Sequence, residues 1–215
     1  MAIRNQALPK AHRTDRRALL IQAAADLFAR RAYDEVTAGE IAKRAGVAYG
    51  LIAHHFSNKR GLYLATIQAA AANLRAVHET PPAGDTPAAR LRDALTRHIR
   101  YTEANAAGFL TLMRGGSGSD PQVRAIIEDL RWHGARRLLT GLGVTGPVCP
   151  ALRATMRGWV GYLDEILIDW LRHEDLPVED LVVLATQTLT GALRAAHALD
   201  PGTGVGPDLI DRLTA

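Results

Sequence analysis

The chain has 215 residues, 47% of them hydrophobic and 22% charged, a balance that supports a folded core and excludes a disordered polyelectrolyte. No run of eighteen uncharged apolar residues is present, and no signal-peptide core follows the charged "MAIRNQALPKAHRTDRR", so a soluble, cytoplasmic protein without membrane contact is expected. The net charge of +4 is unevenly laid out: residues 1–63 hold 11 Lys and Arg against 5 Asp and Glu, while residues 64–215 hold 15 against 17.

A basic first third on a mildly acidic body points to a polyanion partner, nucleic acid before membrane, with a merely solvated surface as the plain alternative. The single cysteine, Cys149, forms no internal disulfide and lies in the loop-like "GVTGPVCP", which reads as an incidental or structural thiol.

Helical patterns run in order along the chain. From Thr14, "TDRRALLIQAAADLFARR" offers Thr14 or Asp15 as a cap and sets Leu20, Ala24, Leu27 and Phe28 on one face. "TAGE", Thr37 to Glu40, is a capping box that opens a short helix, and Gly46 is a left-handed stop. With Val47 in the turn, a second short helix spans about Ala48 to His55. Two short helices joined at Gly46 form a helix-turn-helix. In that arrangement Ile41, Ala42, Ala45, Val47, Ile52, Phe56 and Leu62 point inward, and Ala48, Tyr49, Leu51 and His54 remain outward, where a recognition helix meets base edges in the major groove.

Residues 17–63 resemble the DNA-binding domain of TetR-family transcriptional repressors, through "AAADLF", "VTAGEIAKRAGVAYG" and "HHFSNKRGLY". The resemblance implies an all-α protein: an N-terminal three-helix DNA-binding domain, residues 1–62 with its arm, then a helical-bundle domain, residues 63–215. It also implies a homodimer formed through the last two long helices, a double-stranded DNA operator and a small-molecule effector bound between helices. Carried over by position, Thr37 grips a phosphate, Tyr49 and Leu51 face bases, and His55 and Lys59 approach the backbone. Lys43, Arg44, Ala48 and His54 complete the expected DNA-facing set. Each has a plainer reading beside it: Thr37 as a cap, His55 as a buried hydrogen-bonded ring, Lys59 as a solvated cation.

Three positions depart from the family pattern. Ala48 stands where Ser or Thr is usual and Ala53 where Tyr is usual, which removes two hydroxyls that touch phosphates. Ala32 replaces a glycine after the first helix, where a left-handed backbone would cost a non-glycine roughly 1 kcal/mol. Contacts could then shift to Arg4, Lys10, Arg13, Arg16 and Arg17 of the N-terminal arm, or that arm is a plain disordered tail.

Beyond Gly61 a fourth helix, "LYLATIQAAAANLRAVHE", ends at "TPPAGDTP". Further helices are expected at Ala88 to Ala106, Pro121 to Leu142, Pro150 to His173 and Pro177 to Leu199, with a short one at Phe109 to Met113. "GGSGSDP", residues 115–121, reads as a flexible loop and fails as a phosphate cradle because no Gly-Lys-Ser/Thr follows. The tail "DPGTGVGPDLIDRLTA" holds one last turn or is mobile. Two apolar stripes on the Pro150 helix, Trp159, Leu163, Ile166 and Trp170 beside Val160, Leu167 and Leu171, exceed one core face and favour a subunit interface over burial within one chain.

An effector pocket is expected among Tyr101, Phe109, Met113, Trp132, Met156, Trp159 and Tyr162, with His98 or His133 as polar handles. Plain core packing is the alternative for each. Arg136 and Arg137 either meet an anionic ligand or are solvated. No cofactor is expected, and no metal: adjacent His54 and His55 point about 100° apart on a helix and cannot share an ion. Asp164, Glu165 and Asp169 are the nearest approach to a catalytic cluster and read as a solvated or anchoring face, so no enzyme is expected. The competing reading is an adaptor that keeps the fold for protein binding without sequence-specific DNA recognition.

Overall fold

A computed structural model describes residues 15–116 and 120–214, and every regular element among them is helical. The side chain of Asp15 accepts the amides of Arg17 (3.0 Å) and Ala18 (3.3 Å) and starts α1, Arg16–Phe28. A 3-10 turn, Tyr33–Glu35, leads to α2, Ala38–Ala45, opened by the Thr37–Glu40 capping box and closed by Gly46 at φ 66°. Next come α3, Gly50–Phe56, and α4, Lys59–Glu79, whose first turn is capped by Asn58 through the amide of Gly61 (2.9 Å). Thr14 and the arm residues Arg4, Lys10 and Arg13 lie outside the described residues.

The body is α5, Pro87–Ala104; α6, Ala106–Gly116; α7, Pro121–Gly141; α8, Pro150–His173; α9, Val178–Leu199; and α10, Pro207–Asp211. Proline begins α5, α7, α8 and α10, where its missing N–H has no intrahelical partner to lose. The structure corrects the sequence reading at three places. The helix expected to run to Ala106 stops at Ala104, because Asn105 leaves the helical region at φ −126°. A new helix starts at Ala106, well before the expected Phe109, and absorbs Gly115 and Gly116, which read as loop. A Cβ at Gly115 would stand 3.0–3.1 Å from the side-chain ends of Tyr63, Val123 and Ile67, which would have to give way, so glycine eases the close approach of α6 to α4 and α7. The tail is folded as well, with Val205, Ile210 and Leu213 buried against α9 and its neighbours.

Two apolar cores result. Leu20, Phe28, Val36, Ile41, Ile52, Phe56 and Leu62 form the first, around α1 to α3. The second fills the bundle from Ile67 and Leu74 of α4 through α9. α4 passes from one to the other, and Tyr63 packs against both. Among the described residues no helix is long and apolar enough to cross a membrane.

Candidate nucleic-acid interface

The inner side of α3 is anchored by Ile52 (3% exposed) and Phe56, which sets the outer side by the 3.6-residue repeat. Tyr49, 65% exposed, precedes α3 in a helical conformation and makes no capping bond with its side chain. Ala48, Ala53 and His54 share the exposed surface. Leu51, expected outward, is half-buried against the first core, so it is at most partly open to a groove. His55 is half-buried, its ring edge-on to His54 at 4.8 Å.

The phosphate-facing set is more committed internally than its residue types imply. The hydroxyl of Thr37 accepts the amide of Glu40 (3.2 Å) and donates to the Glu40 carboxylate (2.8 Å), so its proton is already engaged. That carboxylate also takes the Thr37 amide and Arg31, each at 2.8 Å; the Arg31 hydrogen bond leads in lowering its pKa to about 2. The Nζ of Lys59 donates to the carbonyls of Tyr33 and Val36, both at 3.0 Å, and lies 4.0 Å from the centroid of the Tyr33 ring. Lys59, expected at the DNA backbone, here ties the turn between α1 and α2 to the start of α4. Arg44 pairs with Asp26 of α1 (2.6 Å), and Arg17 lies over the Phe56 ring. Lys43 is exposed in the last turn of α2. The expected left-handed strain at Ala32 is absent: its φ is −64°, an extended backbone open to any residue.

Two features escaped sequence reasoning. Ser57, between α3 and α4, has φ 68° and ψ −44°, and the amide of Asn58 closes a tight turn onto Phe56 O (2.8 Å). Gly61 follows because a Cβ there would lie 1.9 Å from that same carbonyl oxygen. The "SNKRG" run is a turn signal, but the close approach of Gly61 to Phe56, five residues earlier, follows from the left-handed backbone at Ser57, which no residue type there announces.

Of the residues expected to line an effector pocket, Phe109, Met113, Met156 and Trp159 share the body core, and Tyr101 and Trp132 pack against it. The Trp159 indole donates to Ala185 O (3.0 Å). Tyr101, Trp132, His133 and Tyr162 are half-buried. Trp132 and Met156 also line a cleft between α7 and α8 that has Glu128, Arg131, Arg157 and Val160 as further walls and a volume of about 60 Å³. That is far below the roughly 300 Å³ at which small-molecule pockets begin. Arg136 and Arg137 are neither ligand hooks nor simply solvated: they hold the carbonyls of Gly146 and of His78 and Glu79. Asp164 is buried and bonded to Arg131 (2.8 Å), and burial pushes its pKa up to about 6 against the pull of that arginine. Glu165 and Asp169 are exposed, so the three acids do not converge on one point.

The comparisons with known proteins bear on the whole chain. Residues 20–66 match the family described as bacterial regulatory proteins, tetR family, and residues 87–191 match the tetracyclin repressor-like C-terminal domain. The chain is 32% identical over 117 residues to the HTH-type transcriptional activator FasR of Mycolicibacterium smegmatis, a match spanning 54% of this chain and 53% of that one. The chain thus spans about half the length of this relative. It is 31% identical over 165 residues to the HTH-type transcriptional regulator BetI of Yersinia pestis (strain Pestoides F), 73% of this chain and 80% of that one. Among solved structures, a tetR-family transcriptional regulator from Streptomyces coelicolor superposes with a TM-score of 0.77 at 29% identity, over 95% of this chain and 90% of that one. FadR from Bacillus subtilis, solved in complex with stearoyl-CoA, shares the fold with a TM-score of 0.61 at 20% identity, over 81% and 96% of the two chains.

Proposed function

The chain belongs to the TetR family of DNA-binding transcriptional regulators, and from that premise we propose that it is a ligand-responsive repressor. As a homodimer it binds a pseudo-palindromic operator, and a small apolar or amphipathic effector releases it. Residues 1–62 serve DNA and residues 63–215 serve dimerisation and effector binding. The observation that carries the reading is the exposed outer side of α3, held rigid from behind by Ile52 and Phe56 and presenting Tyr49 and His54. Tyr49 reads bases. Phosphate contacts fall to Lys43, to His55 and to the backbone amides at the start of α2 and α3.

Dimerisation through α8 and α9 is supported by the apolar side chains that α9 leaves in solvent, Val183 (56% exposed), Leu184 and Leu199 (79% exposed). On α8, half-buried Val160, Ile166 and Leu171 extend the same character. An effector with an apolar body suits a bundle whose interior is almost wholly aliphatic and aromatic, and the stearoyl-CoA held by the FadR neighbour is such a molecule. The activator among the relatives favours a second reading, in which the DNA-bound dimer raises transcription.

Selection of bound duplexes from a random pool, followed by sedimentation of the complex, tests the proposal. Enrichment of an inverted repeat bound by two or four chains is expected. No enrichment, or a monomer at micromolar concentration, refutes it.

A further inference from the structure

Seven polar side chains are essentially buried among the described residues. Five find hydrogen bonds: Thr66 to Leu62 O (2.8 Å), Thr111 to Ala25 O (2.9 Å), Asp164 to Arg131 (2.8 Å), Thr190 to Gln187 O (3.0 Å) and Thr203 to Val205 O (3.4 Å). A sixth, His98, is bonded through Nδ1 alone, to His78, and the seventh, Thr102, lies one turn further along α5 and therefore on the same face. The hydroxyl of Thr102 has no partner, and neither has Nε2 of His98. Buried polar atoms are almost always paired, because burial strips their hydration. Two unpaired ones on adjacent turns mark a place where a polar group belongs.

The surroundings say which kind. His98 Nδ1 lies 3.2 Å from Nε2 of His78 on α4, and the two rings stack at 5.3 Å. His133 of α7 stacks on the far side of His78 at 6.4 Å, and Gly134 walls off that end, since a Cβ there would lie 3.1 Å from His78 Nδ1. Several charged groups crowd this closed end. Arg75 meets His133 and Asp129, Arg137 caps the carbonyls of His78 and Glu79, and Glu79 approaches His133 at 3.7 Å. At the α5 end the neighbouring cation, Arg97, is committed to the carbonyls of Thr80 and Pro81 and to Asp93, and burial alone lowers the His98 pKa, to about 4, so its ring is neutral at neutral pH. A neutral imidazole donates or accepts at Nε2 according to its tautomer, and a threonine hydroxyl does both. Around them, α5 contributes Leu91, Leu95 and Ile99 to the body core.

We propose that His98 Nε2 and Thr102 Oγ1 are the polar anchor of the effector site and take an uncharged hydrogen-bonding group, a hydroxyl or a carbonyl, at the head of an apolar ligand. This rests on the regulator reading above. A carboxylate would be stripped of water where the neighbouring cation is already committed. Entry parts α5 from the helices packed on it, α4, α6, α8 and α9. Occupancy is felt at α4 directly: a ligand hydroxyl donating to Nε2 places the His98 proton on Nδ1, where it is given to His78, and a ligand carbonyl fixes the opposite tautomer. α4 in turn carries the DNA-binding helices on its first turn.

The test compares 1-octanol and 2-octanone with octanoate, on the full chain at neutral pH, by thermal shift and by release of a selected operator duplex. The two uncharged probes are expected to raise Tm and weaken operator binding by roughly tenfold, with octanoate inert. Thr102→Val keeps the shape and removes the hydroxyl; it should raise the Tm of the unliganded protein, leave operator affinity within about twofold, and weaken octanol binding by roughly fivefold or more. Thr102→Ser should restore octanol binding. Octanoate binding as tightly as octanol, octanol binding unchanged by Thr102→Val, a lowered Tm in that variant, or no shift with either uncharged probe overturns the proposal. Failure of the regulator reading shows separately, as wild-type protein that selects no operator.

Discussion

The hydroxyl of Thr111, on α6, lies 2.9 Å from the carbonyl of Ala25, on α1 and 86 residues away in the chain, and shares its one proton between that oxygen and the Ala107 carbonyl of its own helix (2.7 Å). Both residues are buried. The neighbours of Thr111 on α6, Phe109, Leu112 and Met113, belong to the body core, and Ala25 lies on the helix that braces the helix-turn-helix. A shift of α6 is therefore transmitted to α1 through a directional bond as well as through packing. A second bridge, Arg60 to Asp120 (3.0 Å) with Gln122 behind it (3.2 Å), is exposed and contributes less.

Thr111→Val keeps the volume and removes the donor. It should lower stability by about 1 kcal/mol and speed amide exchange in α1 more than in α9, while Thr111→Ser should behave as wild type. Urea unfolding and hydrogen exchange measure both, and equal behaviour of the valine and serine variants would show that the bond carries nothing.

Gly61→Ala drives a methyl group into the carbonyl of Phe56, 1.9 Å from the Cβ position, and the obstacle is backbone rather than a side chain that could swing away. The turn between α3 and α4 must open, which is expected to cost about 3 kcal/mol or more and to displace α3. Operator binding should vanish while the far-UV spectrum stays largely helical, because the body core does not depend on this turn. A variant that binds operator normally would mean that the turn has room to adjust.

Much of this was legible from local signals. Thr37 and Glu40, three apart, make the capping box read from "TAGE", and Gly46 adopts the left-handed conformation that a helix stop requires. The prolines that begin α7 and α8 stand where the pattern placed them. The failures are tertiary. Gly115 sits in a helix packed tightly against Tyr63 and Val123, and Lys59 turns inward because two carbonyls and a ring lie within its reach. Neither neighbour is near in sequence, so no periodicity or propensity announces them. The effector residues were read as one group from composition; helix geometry buries Phe109 and Trp159 in the body core and leaves Trp132 half-buried against it, at a cleft it shares with Met156.

Acid should weaken the fold through the histidine stack. Burial leads in holding His78 down at about 3 and His98 at about 4, with His98 and His133, then Arg75 and Arg137, adding to the effect on His78. Unfolded histidines take up protons near pH 6.5, so their stabilising contribution is full above 6.5 and declines as pH falls toward 4. Asp164 works in the opposite sense. Its pKa, raised to about 6 from 3.8, gives a contribution that is present below 3.8 and lost as pH rises through 6. Two depressed histidines outweigh one raised acid, so urea midpoints should fall between pH 6.5 and 4.5. A double variant, His78→Phe with His98→Leu, should flatten or reverse that slope; an unchanged slope would mean that other groups set the acid limit.

Tyr49 and Lys59 should now differ in kind. Tyr49, exposed at the start of α3 and without a capping role, contributes nothing visible to the fold, so Tyr49→Ala should leave Tm nearly unchanged. Its loss should fall on operator binding, roughly 1–3 kcal/mol per lost base contact, and relax preference at one position in each half-site. Lys59→Met keeps the aliphatic stem but removes the ammonium from the carbonyls of Tyr33 and Val36 and from the Tyr33 ring. That should cost about 1.5–3 kcal/mol of stability, because charged donors to half-buried carbonyls are lost. DNA affinity should then drop alike on every duplex, through a loosened helix-turn-helix, while the salt dependence of binding keeps its slope. A slope reduced by about one unit with Tm unchanged would instead return Lys59 to the phosphate backbone.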